Sequence, residues 1–128
     1  MFAPLLMAQS QPPLVPEGIH SNPKGPPKLC GITGRDLADL ERRVVADPSF
    51  TEGAGSDLYR VFNRERDFVQ FVFPRGSTLT FPMATCRQVV EEASGSVSIR
   101  RELQCDGTRE QCDRVFLEFE ALDKRISD

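Results

Sequence analysis

The residues best suited to chemistry in this chain are four cysteines, Cys30, Cys86, Cys105 and Cys112, accompanied by a single histidine, His20, and no tryptophan. Thiols serve as redox pairs, metal ligands or structural disulfides, and spacing discriminates among the three. A redox pair favours C-x-x-C, which keeps a low-pKa thiolate beside its partner, and the chain has no such pair. Zinc sites gather their ligands in two close pairs, whereas only Cys105 and Cys112 are moderately close and His20 lies far upstream. An even count with neither pattern reads as two structural disulfides and puts the chain outside the reducing cytosol. Four cysteines allow three pairings. The reversal Asp106-Gly107-Thr108-Arg109-Glu110-Gln111 favours a Cys105–Cys112 bridge, which leaves Cys30 for Cys86. No metal or cofactor is expected.

Catalytic constellations are sparse. With no histidine after residue 20, Ser-His-Asp and Cys-His mechanisms lack their usual base. There is no G-x-S-x-G elbow, no Walker loop and no G-x-G-x-x-G. Glu91-Glu92 and the group Glu118, Glu120 and Asp123 offer carboxylate pairs of the kind that run glycoside chemistry. They fall on expected polar faces beside arginines, so solvated surface is the simpler reading. The expectation is a protein without catalytic residues.

The elements that must position the cysteines come next. A length of 128 residues points to one domain, and 39% apolar residues with nine phenylalanines suffice for one compact core. A net charge of −3 with interspersed signs argues against nucleic-acid binding. No run approaches the roughly 20 apolar residues that span a bilayer. Residues 1–9, apolar and then abruptly polar, read as the remnant of a secretory signal peptide whose front is missing. Residues 10–29 hold Pro12, Pro13, Pro16, Pro23, Pro26 and Pro27 and read as an extended arm that carries His20. The folded domain is expected over 30–128.

Within it, Thr33 is the expected N-cap of a first helix whose stripe is Leu37, Leu40 and Val44, stapled by Ile32 and ended by Asp47-Pro48. Leu58–Phe62 and Asp67–Phe73 read as strands joined by a charged turn. Residues 78–81 read as extended, interrupted by Pro82. Residues 85–92 fit either a helix or the first arm of a hairpin; the Ala93-Ser94-Gly95 turn and the alternating Val97, Ile99, Arg101, Leu103 favour the hairpin. Thr108 and Gln111 form a capping box ahead of a helix with Cys112, Val115, Phe116, Phe119, Leu122 and Ile126 on one face. The sum is an α+β fold: an antiparallel meander of about four strands, one face packed by the N- and C-terminal helices, stapled by two disulfides.

Four phenylalanines are candidates for a partner surface. Phe71 and Phe73 share a face of the second strand and Phe68 opposes them, so helices on a single face would leave some of these rings, with Phe81, for a partner. Arg60, Arg64, Arg66, Arg100 and Arg101 sketch a mildly basic rim diluted by acids. The segments Tyr59–Phe62, Phe68–Phe73, Phe81-Pro82-Met83-Ala84-Thr85-Cys86-Arg87, Gln104-Cys105 and Cys112-Asp113 together resemble a group of small exported alphaproteobacterial proteins. These carry a His-Pro-Ala-x-x-Cys-Arg segment and a C-terminal Cys-Asp helix; here Phe81 stands in place of the histidine. The resemblance covers about residues 57–119 and implies export and disulfides, with no activity to transfer. The leading expectation is therefore a periplasmic or secreted binding or accessory subunit with a protein partner in the cell envelope. The alternative is a small-ligand carrier or an enzyme with a carboxylate/arginine site.

Overall fold

The computed structural model describes residues 26–76 and 78–127. The expected signal remnant, most of the proline-rich arm and His20 lie outside the described residues. The elements in chain order are β1 (Lys28–Leu29), β2 (Ile32–Thr33), α1 (Leu37–Ala46), β3 (Thr51–Glu52), β4 (Tyr59–Arg64), β5 (Val69–Pro74), β6 (Met83–Glu91), β7 (Val97–Cys105) and α2 (Arg109–Ser127), with a single 3-10 turn at Glu65–Asp67 between β4 and β5. Strands β3 to β7 form one five-stranded antiparallel meander in sequence order, and β1 pairs with β2 in a small separate hairpin. The α+β class and the meander are as expected; the strand count and the packing differ.

The largest difference is in the layers. Phe62, Phe71, Cys86 and Glu102 lie opposite one another across four strands, and Val61, Val72, Thr85 and Leu103 form the adjacent row. Neighbouring rows of a sheet face opposite sides. On the first face Leu40 and Val44 of α1 pack with Leu29, Phe50, Phe62, Val69, Phe71, Phe73, Ala84 and Cys86. On the second, Cys112, Val115 and Phe119 of α2 pack with Val72, Met83, Leu103 and Cys105. The helices therefore cover opposite faces instead of sharing one. The cause is visible in β5, where Val69, Phe71, Val72 and Phe73 are all buried; a strand apolar on both sides must be covered on both sides.

This corrects the reading of Phe71 and Phe73 as a partner surface. They are 0% and 1% exposed, with rings stacked at 5.9 Å, and belong to the α1-side core. Phe68 is not in the strand at all.

The start of α1 also shifts. Thr33 lies in β2, and the cap is Asp36, whose Oδ1 accepts the Asp39 backbone N–H at 2.8 Å. Asp39 returns the favour one residue further out, accepting the Arg35 backbone N–H at 2.8 Å. This Asp-x-x-Asp pair satisfies two end donors that Thr33 is too far upstream to reach. The fold begins earlier than Cys30. Leu29 is 2% exposed, and the Pro27 carbonyl accepts the Gly34 N–H. Residues 78–81 form bends, and the strand starts after Pro82, whose carbonyl accepts the Asp106 N–H.

Two expectations hold in detail. Residues 83–91 and 97–105 form the hairpin, paired from Met83↔Cys105 to Glu91↔Val97. The α2 capping box is reciprocal: Thr108 N–H donates to Gln111 Oε1 at 2.8 Å, and Gln111 N–H donates to Thr108 Oγ1 at 3.2 Å. The disulfides join Cys30 to Cys86 and Cys105 to Cys112, with Cα separations of 6.3 and 5.8 Å. Each face of the sheet thus carries one bridge: the first ties the β1–β2 turn to β6, the second ties α2 to β7.

Candidate functional site

Among the described residues, three places combine exposed or unpaired side chains with a fixed local geometry. The first is the β4–β5 tip. Phe68 ends the 3-10 turn in the left-handed region, φ 55°, ψ 42°, and is 66% exposed. Its backbone is held from both directions. The Phe68 N–H donates to the Glu65 carbonyl, and the Phe68 carbonyl accepts the Val89 N–H at 3.4 Å. Beside it, Arg64 grips the Asp67 carboxylate through two bonds of 2.9 Å. The ring is thus presented from an anchored turn, on a backbone conformation that costs a β-carbon residue about 1–2 kcal/mol.

The second is a groove of about 420 Å³ between the first turns of α1 (Leu37, Ala38, Glu41), the end of β5 (Phe73, Pro74) and the segment Leu79–Met83. Its wall includes Phe81, whose ring rests on Gly107: a β-carbon there would lie 2.9 Å from two ring carbons and 2.6 Å from Gln111 Oε1. The Cys105–Cys112 loop therefore sets the position of Phe81, which is partly buried against the α2-side core. Of the four phenylalanine candidates, Phe68 and Phe81 reach the surface, at separate places, and Phe71 and Phe73 do not.

The third is polar and lies under the C-terminal part of α2. Arg87 and Arg101 stand directly opposite each other on β6 and β7. Arg101 is 8% exposed and fully engaged. Its Nε and Nη2 donate to Asp123 at 2.6 and 2.7 Å, its Nη1 donates to Thr85 Oγ1 at 3.1 Å, and its guanidinium lies 4.8 Å from the Phe119 ring centre. Asp123 is thus no solvated acid, as the sequence suggested, but the anchor of α2 to the sheet. Arg87 sits 4.0 Å from Asp123 Oδ1, and its Nη1 is buried without a hydrogen bond. Burial, followed by the charge of Arg101, pulls the Arg87 guanidinium below its ordinary pKa despite Asp123.

The basic rim does not assemble. Arg60 pairs with Glu41 and Glu52, Arg64 with Asp67 and Arg101 with Asp123. Among the described residues, the sulfurs of Cys30 and Cys86 and the Glu102 carboxylate form a cluster of potential metal-ligand atoms, within 4.8 Å of one another. Both sulfurs are taken up in the disulfide, and Glu102 Oε1 accepts the Cys30 backbone N–H at 3.0 Å. That bond holds the Cys30-Gly31 turn, whose residues both have positive φ (45° and 83°) as a two-residue hairpin turn requires.

Sequence reasoning missed the Arg87–Arg101–Asp123 cluster. Its signal was there: Arg101 occupies an inward position in the alternation that placed Val97, Ile99 and Leu103. Among the described residues no helix is long and apolar enough to cross a membrane. Comparisons with protein-family models, with curated proteins and with solved structures gave no match.

Proposed function

We propose that the chain is an exported, non-catalytic binding domain, an accessory subunit of a complex in the cell envelope. Two disulfides support export, as does the resemblance to small exported alphaproteobacterial proteins. The observation that carries the binding reading is Phe68. A large aromatic ring stands 66% exposed in water on a left-handed backbone held by two hydrogen bonds, so the turn fixes the ring where a partner can meet it. A partner that covers the ring removes its apolar surface from water. The groove beside Phe81 supplies a second apolar contact, suited to an extended apolar segment.

The test is a photo-crosslinking side chain at position 68 in the exported full chain, with a control at the exposed Leu117. The reading expects one stoichiometric protein adduct at 68 and none at 117, and an affinity for that protein at least about tenfold weaker in Phe68→Gly. Equal labelling at both positions, or unchanged affinity, contradicts it.

A further inference from the structure

We infer that Arg87 is the recognition group of a surface site for a single oxyanion, of carboxylate or phosphate type. The inference is independent of the protein-binding reading. The sequence places two arginines face to face on neighbouring strands, where like charges destabilise a sheet. One carboxylate, Asp123, answers them, and its two oxygens are taken by Arg101 in fork geometry. Arg101 then spends its remaining nitrogen on Thr85, itself 0% exposed and bonded to the Glu102 carbonyl. Arg101 is a saturated structural cation.

Arg87 is the opposite case. Its side chain keeps only 20% of its surface in water, its buried Nη1 donates no hydrogen bond, and Asp123 Oδ1 pairs with it only at 4.0 Å. A guanidinium so enclosed has lost much of its hydration, and a 4.0 Å ion pair to a carboxylate already gripped by Arg101 offsets little of that. The three groups sum to one net positive charge. A guanidinium is a planar fork that fits two oxygens of a carboxylate or phosphate, and a partly dehydrated one gains more from doing so than a fully hydrated surface arginine. The exposed remainder of Arg87 leaves an approach from solvent, and Asp123, at 16% exposure, limits the site to one anion by its own charge. Removing Arg87 leaves the neighbouring Arg101–Asp123 pair complete.

The experiment is a titration of the isotope-labelled full-length protein with sodium phosphate, and separately with sodium acetate, at ionic strength held constant with sodium chloride. The readout is the arginine Nε–Hε signals. The inference expects the Arg87 signal to shift and saturate with phosphate, acetate or both. Arg66 and Arg114, which are exposed, should drift without saturating. The Arg87→Gln variant, with unchanged circular dichroism and read at the neighbouring Arg101 Nε–Hε signal in both proteins, should show affinity weaker by about tenfold or more. Should Arg87 and Arg66 follow the same unsaturated drift in both salts, or should Arg87→Gln bind as well as the parent, the inference is overturned. A short peptide with a free C-terminal carboxylate, run as a third arm, separates a protein-borne oxyanion from a free one: tighter saturation than acetate assigns the protein source.

Discussion

Phe68 and Phe71 are three positions apart and have opposite roles, which makes the pair a direct test at the scale of single residues. Phe71 is fully enclosed beside Phe50 and Phe73, so Phe71→Ala removes a packed ring and should cost about 3–5 kcal/mol in chemical denaturation. Phe68→Gly removes an exposed ring and a strained backbone together, and should leave the denaturation midpoint unchanged or raised. A large loss in Phe68→Gly shows that the ring serves the fold. Asp39 gives a prediction in pH. Its carboxylate accepts the Arg35 backbone N–H, pairs with the Arg35 side chain, and pairs with Arg43, which together hold its pKa far below the ordinary carboxylate value. The folded state therefore favours the ionised form. This stabilisation is present above the unfolded pKa, near about 4, and is lost as pH falls toward the depressed folded value. Asp39→Asn should lower the urea midpoint at neutral pH and flatten its decline below about pH 4; a variant that keeps the parent's acid profile contradicts the assignment.

At the scale of elements, Gly107 links three features: the α2 cap, the second disulfide loop and the groove wall. Gly107→Ala drives a β-carbon into Gln111 Oε1 and the Phe81 ring, so hydrogen exchange should speed in the first turn of α2 and in residues 79–83 together. Faster exchange in α2 alone breaks the link to the groove. Opening the bridge itself with Cys105→Ser/Cys112→Ser should cost about 2 kcal/mol, from a loop with a sequence separation of 7, whereas the Cys30–Cys86 bridge, with a separation of 56, is worth about 4 kcal/mol in the same loop-entropy account. The elements were readable where local chemistry is self-contained. The Thr108–Gln111 box and the Ser-Gly hairpin depend on neighbours within a few residues. The cap of α1 was misplaced because Thr33 and Asp36 are both good caps, and the choice depends on β2 pairing back onto β1. The orientation of α1 on the far face was hidden for a similar reason: a strand apolar on both sides signals two covers without naming which helix supplies each.

For the whole molecule, those same limits explain what the sequence conveyed. Cysteine pairing was legible because the six-residue reversal between Cys105 and Cys112 leaves one pairing for the other two thiols. The partner surface was half legible. Four phenylalanines could be chosen by type, but which of them face water depends on sheet layering set by long-range contacts, and the structure moves two of the four into the core. The Arg87–Arg101–Asp123 cluster joins residues 14 to 36 positions apart through a strand pair and a helix, a meeting that no local pattern announces. What unifies the molecule is a sheet covered on both faces, with one disulfide on each face. The measurement that tests this most directly is intact mass and disulfide mapping of the protein purified without reductant and alkylated before unfolding. The account predicts no alkylated cysteine and two linked peptide pairs, Cys30 with Cys86 and Cys105 with Cys112. A different pairing would contradict the two-faced architecture, and four alkylated thiols would contradict the export reading as well.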